Sequence, residues 1–400
     1  MLLIGHDFPP DIRVEKEIPS LIAAGHDVWL VCENRKNRLT RENWKGAKIL
    51  RLPNLPRWIR AINTAILFLF HRHFVWEWAL TNIIRDEKPD VLHVHDLPFV
   101  APALRIAQNF DLPVIADLHE NYPGLLEIRK NSNLKRNFLD PFIFDSERFS
   151  NYEKQVLPQC EKIIVVVEEA ATRLHGIGIP ADKIIIVGNT ENIQAIETSE
   201  SAPIGEISLP ESKLKLIYVG GFGVHRGLET VIRAMPQLCR QIPSAKFIIV
   251  GDGPERPLLE RLAHQLDIAH AVQFEGRQPY HKVPSYIQMS DICLVPHLAN
   301  SHTNATMPHK LFQYMFQKKA LIVSSARPLK RVVEDAHCGL VFESGNSDHF
   351  AECVIQMQDP ESRKRMGLNG YQAVLQKYNW QKDARELIYL YEQVAEKQAA

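Results

Sequence analysis

The chain has 400 residues, 45% hydrophobic and 24% charged, with 47 Lys+Arg balancing 47 Asp+Glu. That length exceeds what one hydrophobic core usually supports, so two domains are expected. The charge balance argues against nucleic acid held by a global basic field. No stretch reaches the ~18 uninterrupted apolar residues of a membrane span.

The N-terminal residues Met1 to Pro10 turn polar too soon for a signal peptide, and a cytoplasmic protein is expected. Six scattered cysteines without a C-x-x-C pair read as small core residues of a reducing compartment.

In chain order, strands are expected at 2–4, 27–32, 47–52, 90–95, 113–118, 162–167 and 183–188, mostly separated by amphipathic helical segments. Their continuous β-branched runs indicate strands buried on both faces, hence a parallel sheet covered by helices. Residues 191–213 lose periodicity and gain polar, Pro and Gly content, as a linker would. The pattern then restarts with strands at 215–221, 245–253, 271–276, 291–296 and 320–325, and helices at 227–242, 255–267 and 282–290. The expected architecture is α/β, with a Rossmann-like domain over 1–190 and another over 214–378. A closing amphipathic helix over 379–400 is expected to cross back to the first domain.

In open parallel sheets ligands bind beyond the carboxyl ends of the strands, so the residues after each strand matter most. At 219–227, VGGFGVHRG puts paired glycines after a strand and Arg226 before a helix, a pattern that suits a phosphate. The bland reading is a Gly-rich turn with a solvated Arg. Gly251 and Gly253 form a second such turn, and Gly276-Arg277 ends a third strand. In NATMPHKLFQYMFQKK (304–319), Thr306 or Pro308 could open a short helix whose first-turn amides, with Lys310, face an anion. In the first domain, His95, Asp96, His119 and Glu120 fall at strand ends. No D-x-D occurs and no His/Asp/Glu spacing suggests a ligand set, so no metal is expected. G-x-S-x-G is also absent, which disfavours a hydrolase.

These segments together, with DIRVEKE, AAGHDVWLV, DVLHVHDLP, PVIADLHENYPG, FIIVGDGPE and PHKLFQYM, resemble family 4 of the GT-B glycosyltransferases over nearly the whole chain. The resemblance implies two doubly wound Rossmann-like domains and a retaining, metal-independent sugar transfer needing no cofactor. The donor would be a nucleotide-diphosphate sugar, UDP- or GDP-linked, held mainly by the second domain. The acceptor would be a glycan or a lipid-linked molecule on the first. It implies His119, Arg226 and Lys310 as catalytic groups. Gly221, Gly251, Gly253, Arg277, Met307, Pro308, His309 and Gln313 would bind the donor.

Where relatives often carry two Glu residues on the donor-facing segment, this chain has Ala305 and Gln313. An amide accepts ribose hydroxyls less well than a carboxylate, so Gln313→Glu is expected to tighten nucleotide binding modestly. A catalytically silent partner subunit is the alternative from another class, and a sugar-nucleotide epimerase a weaker one. Finally, residues 35–72 combine many Lys/Arg with Trp44, Trp58 and an apolar run, which suits either an anionic membrane surface or a plain solvated face.

Overall fold

The computed structural model describes residues 1–131, 143–194, 207 and 209–399. Contacts divide the chain into two compact units, Met1–Asn189 together with the chain from Gln381 onward, and Thr190–Trp380. Of the expected linker, residues 195–206 and 208 lie outside the described residues.

The first unit runs β1 (Leu2–Asp7), α1 (Val14–Ala23), β2 (Trp29–Glu33), β3 (Arg41–Trp44), β4 (Ala47–Arg51), α2 (Arg57–Phe70), α3 (Phe74–Glu87) and β5 (Leu92–His95). It continues with α4 (Val100–Gln108), β6 (Val114–Leu118), α5 (Tyr122–Asn131), α6 (Ser146–Val156), β7 (Lys162–Val165), α7 (Glu168–Gly176) and β8 (Ile184–Ile186). Its sheet has the order β3-β4-β2-β1-β5-β6-β7-β8. All pairings are parallel except β3–β4. The order reverses between β1 and β5, which makes their carboxyl ends a topological switch point.

The second unit contains β9 (Lys215–Val219), α8 (Leu228–Gln241), β10 (Lys246–Val250), α9 (Arg256–Gln265), β11 (Val272–Gly276), α10 (Val283–Gln288) and β12 (Ile292–Val295). There follow α11 (Lys310–Phe316), β13 (Ala320–Ser324), α12 (Arg327–Ala336), β14 (Gly339–Phe342), α13 (Ser347–Gln356) and α14 (Pro360–Gln376). The sheet is parallel in the order β11-β10-β9-β12-β13-β14. Leu216, Tyr218, Phe247, Ile249, Leu294 and Ile322 pack it against Met235, Leu238 and Phe350 on the covering helices. Its switch point lies between β9 and β12.

The last helix, α15 (Trp380–Ala399), packs on the first unit. There the Tyr391 hydroxyl lies 2.9 Å from His93 Nδ1, and Lys397 pairs with Glu161 at 2.7 Å.

Two strands depart from the sequence expectation. β3 is an antiparallel edge strand, and Lys45 and Gly46, both at positive φ (48° and 92°), form its two-residue turn. β14 is the opposite kind of edge, half-buried until Phe342. β3 carries no continuous apolar run, whereas β14 does (Leu340, Val341, Phe342) but over only four residues.

Candidate functional site

At the switch point of the second unit, β9 ends in Gly220, whose φ of +139° turns the chain away from the sheet. The helix α11 is tied to this strand by Tyr314, whose hydroxyl accepts the Val219 N–H at 2.9 Å. One turn earlier, Lys310 Nζ stands 3.7 Å from the centre of the Tyr218 ring. A Cβ on Gly220 would lie 2.6 Å from that ammonium, so a side chain there would collide with it.

Although Lys310 as a residue is half-buried, its Nζ is out of reach of solvent and meets no hydrogen-bond partner among the described residues. Burial, reinforced by Arg226, holds its pKa well below the usual lysine range. Arg226 Nη1 in turn lies 3.1 Å from His297 Nε2, which therefore serves as the acceptor and carries its proton on Nδ1.

Two further rings complete the cluster. His225 stands 5.4 Å from His302 and 6.3 Å from His297, between ring centres. Burial and then Arg226 push the His225 pKa down to about 3, and the same causes depress His297. The ionisable groups acting on Lys310, His225 and His297 are all cations or histidines. A buried amine in such surroundings is relieved either by giving up its proton or by an anion brought beside it.

The sequence-expected residues divide around this cluster. A Cβ at Gly221 would meet nothing nearer than Asp252 O at 3.9 Å, so the space before it is open. Gly251, at φ +135°, would press a Cβ to 1.9 Å from Gly220 O, so its role is to let two strand-end loops pack together. Gly253 serves the same packing against Phe222. Arg277 is exposed, Met307 is buried, and Pro308 and His309 are half-buried at the start of α11.

Thr306 does not cap α11, whose N-cap is His309 without a side-chain cap bond. The amides of α11 that follow Lys310 are not left unpaired. Leu311, Phe312 and Gln313 N–H groups bond to Pro308 O and His309 O, because tight turns lead directly into the helix.

Gln313 differs most from expectation. Its Nε2 donates to Glu191 Oε1 at 2.9 Å and to Tyr280 Oη at 3.2 Å. A Glu at 313 would set two carboxylates within hydrogen-bond distance, so the expected gain from Gln313→Glu is reversed. Sequence reading placed Glu191 in the linker; it is buried here, its carbonyl accepting the Trp380 N–H at 3.0 Å.

In the first unit, His119 Nε2 lies 3.2 Å from Asp96 Oδ1 at the carboxyl ends of β6 and β5. Asp96 holds φ +69°, ψ +133°, a backbone costing of order 1–3 kcal/mol, and its N–H bonds to Asp117 O at 3.1 Å. At the end of β1, His6 Nε2 meets Asp11 Oδ2 at 2.8 Å, which raises the His6 pKa.

His95, expected at the same edge, is instead buried below it. The sheet register pairs His93 with Ile115 and His95 with Asp117. With Glu17 of α1 this gathers Glu17, His93, His95 and Asp117, a set of ligand-type groups that sequence spacing did not reveal. Arg13 already fills the cation's place, its Nε 2.8 Å from Asp117 Oδ2 and 3.0 Å from Glu17 Oε1. Burial opposes a charge on His95, but Glu17 and Asp117 outweigh it and lift its pKa to about 9. Burial lowers the pKa of His93, against the pull of Asp117. Two cations thus balance two carboxylates, and a divalent ion would leave a buried net positive charge.

The comparisons with known proteins bear on both units. Residues 14–192 match the model of Glycosyltransferase Family 4, and residues 203–373 that of Glycosyl transferases group 1. An alpha-D-kanosaminyltransferase of Streptomyces kanamyceticus is 25% identical over 180 residues, 45% of each chain. An uncharacterized glycosyltransferase of Methanocaldococcus jannaschii is 24% identical over 339 residues, 80% of this chain and 82% of that one. Among solved structures, sucrose-phosphate synthase of Thermosynechococcus elongatus superposes with TM-score 0.79 at 19% identity, covering 99% of both chains. HepE of Anabaena in complex with UDP-glucose gives TM-score 0.69 at 12% identity, covering 100% of this chain and 99% of that one.

Proposed function

The chain is a GT-B-fold glycosyltransferase related to family 4 and group 1, and from that premise we propose a donor, a site and an acceptor class. The donor is a nucleoside-diphosphate sugar, bound at the switch point of the second unit. Lys310 and Arg226 neutralise its diphosphate in front of Gly221, and His297 holds Arg226 in place. As the sugar–phosphate bond breaks, negative charge grows on the leaving diphosphate, and the two cations stabilise that charge without a metal. His119, oriented by Asp96 at 3.2 Å, is the candidate catalytic group of the first unit, and transfer proceeds with retention. Met307, Pro308, His309 and Arg277 border the nucleotide.

The observation that carries this reading is the buried Lys310 ammonium with no acceptor of its own. The test is calorimetric titration with UDP, GDP, ADP and their glucose or mannose conjugates. One of them should bind and raise the unfolding temperature, by about 2.7 kcal/mol of stability at a hundredfold excess over Kd. Absence of heat and of stabilisation across the panel refutes the reading.

A specific surface supports a lipid-linked acceptor met at the cytoplasmic face of a membrane. Trp58 (66%), Phe70 (67%) and Trp78 (67%) of α2 and α3 are exposed, as are Ile62 and Phe74, with Arg57 and Arg72 among them. The basic run before them contributes less than its composition implies. Arg51 is buried against Glu42, and Lys48 pairs with Asp27 at 3.0 Å. Arg35 is bound to Glu33. No helix among the described residues is long and apolar enough to cross a membrane. Sedimentation with phosphatidylglycerol vesicles should show binding that salt weakens and Trp58→Ser/Trp78→Ser reduces; equal sedimentation of both proteins excludes this face.

A further inference from the structure

We propose that a cleft in the first unit, between α2 and the carboxyl ends of β2 and β4, binds a phosphate ester that also carries hydroxyl groups. The inference rests on the acceptor reading above and names its chemistry. Arg60, Asn63 and Thr64 of α2 line the cleft, with His73 and Trp76 at the start of α3 and Glu33 at the end of β2.

The cleft holds hydrogen-bond donors that the protein leaves unused. His73 Nδ1 accepts the Trp76 N–H at 3.2 Å, so the ring carries its proton on Nε2. Neither that Nε2 nor the Arg60 guanidinium meets an acceptor among the described residues. Trp76 forms the buried side of the cleft at 1% exposure, and its indole N–H has no partner either. Glu33, a carboxylate on the same wall, is already bound by Arg35. Buried donors without acceptors are rare and cost stability, so three around one cleft call for a group that brings several acceptors. A phosphate does, and its charge suits the fork of Arg60.

Acceptors stand beside these donors. Asn63 Nδ2 donates to Ile59 O at 3.1 Å, while its Oδ1 and the Thr64 hydroxyl meet no partner among the described residues. They suit the hydroxyls of a sugar or polyol joined to the phosphate.

A soluble sugar phosphate and a lipid headgroup share this chemistry, and α2 bears on the choice. Arg60, Asn63 and Thr64 occupy one side of the helix, and the exposed Trp58 and Ile62 lie on roughly the opposite side. With those two in the acyl boundary, the cleft stands one helix diameter, about 10 Å, away, at headgroup depth.

The test uses the full chain with isotope-labelled tryptophan. Glycerol 3-phosphate should shift the Trp76 indole N–H signal, identified by its loss in Trp76→Phe, and uncharged glycerol should not. Arg60→Gln should weaken that binding about tenfold or more, the scale of a charge-assisted hydrogen bond. In sedimentation, vesicles of phosphatidylglycerol should bind better than those of phosphatidylserine, which carries the same charge without the diol. Arg60→Gln should abolish the difference. Unfolding curves check each variant, and if Arg60→Gln does not fold, Thr64→Val takes its place with the same readouts.

A shift with the soluble ester alone assigns the cleft to soluble phosphates, and a headgroup preference alone assigns it to lipid; either supports the site. No shift and no headgroup preference, or both unchanged in the variant, overturns it. Sedimentation that persists through that failure leaves the membrane face standing. Wild type that binds the ester but no vesicle sinks the membrane face and keeps the site.

Discussion

Replacing Lys310 by Met should make the free protein more stable and the donor site worse. The ammonium is buried without a hydrogen-bond partner, its nearest compensation being the face of Tyr218 at 3.7 Å. Leaving a polar group unsatisfied costs about 1–3 kcal/mol, and the cation–π contact returns up to ~2 kcal/mol where solvent is excluded. Met keeps the length of the side chain and a favourable contact with the ring, so the substitution removes mainly the desolvation cost. A net gain of about 1 kcal/mol in unfolding free energy is expected. It has a pH signature.

Because the folded pKa of Lys310 is depressed below its unfolded value near 10.5, the unfolded chain binds more protons in that window. Wild-type stability therefore rises with pH up to the unfolded value, and Lys310→Met loses that rise. With UDP or GDP the sign inverts, because the lost charge-assisted contact weakens binding by about 1.5–3 kcal/mol, roughly ten- to hundredfold. Urea unfolding between pH 7 and 10 and calorimetry at pH 7 measure the two halves. A variant that is less stable than wild type and binds nucleotide equally well refutes both the orphaned charge and its ligand.

Arg226→Ala should cut nucleotide affinity by about 1.5–3 kcal/mol and, by removing a neighbouring cation, raise the His297 pKa. Calorimetry and histidine NMR titration check the two effects. His119→Ala should leave nucleotide affinity unchanged while lowering transfer by about a hundredfold or more, read by product formation against titration. The His95 pKa of about 9 against ~6.5 unfolded gives stability that is complete below pH 6.5 and lost as pH rises through 9. That loss is of order 3 kcal/mol at most, and His95→Gln should flatten it in unfolding curves recorded across the same range.

The interior strands were legible because burial on both faces leaves only β-branched and apolar residues to choose from. The edge strand β3 (Arg41–Trp44) lacks that constraint and escaped notice, and β14, though apolar, is only four residues long. Arg226 and Lys310 were legible for a related reason, since a basic residue just after a strand or at a helix start is a local pattern. His225, His297 and His302 carry no local pattern. They come together because the order of the sheet reverses between β9 and β12, and topology rather than spacing makes them neighbours. The buried Glu17, His93, His95 and Asp117 are a product of register in the same way.

Gln313 marks where reading along one helix misleads. Judged against relatives it is a position missing its carboxylate, and the remedy is to restore a Glu. In three dimensions its amide is the donor that a carboxylate from the interdomain segment requires. The remedy would then add the one charge the site cannot accept without a proton. A residue's chemistry belongs to the pair it completes, and the second member of this pair lay in a stretch whose composition read only as a connection.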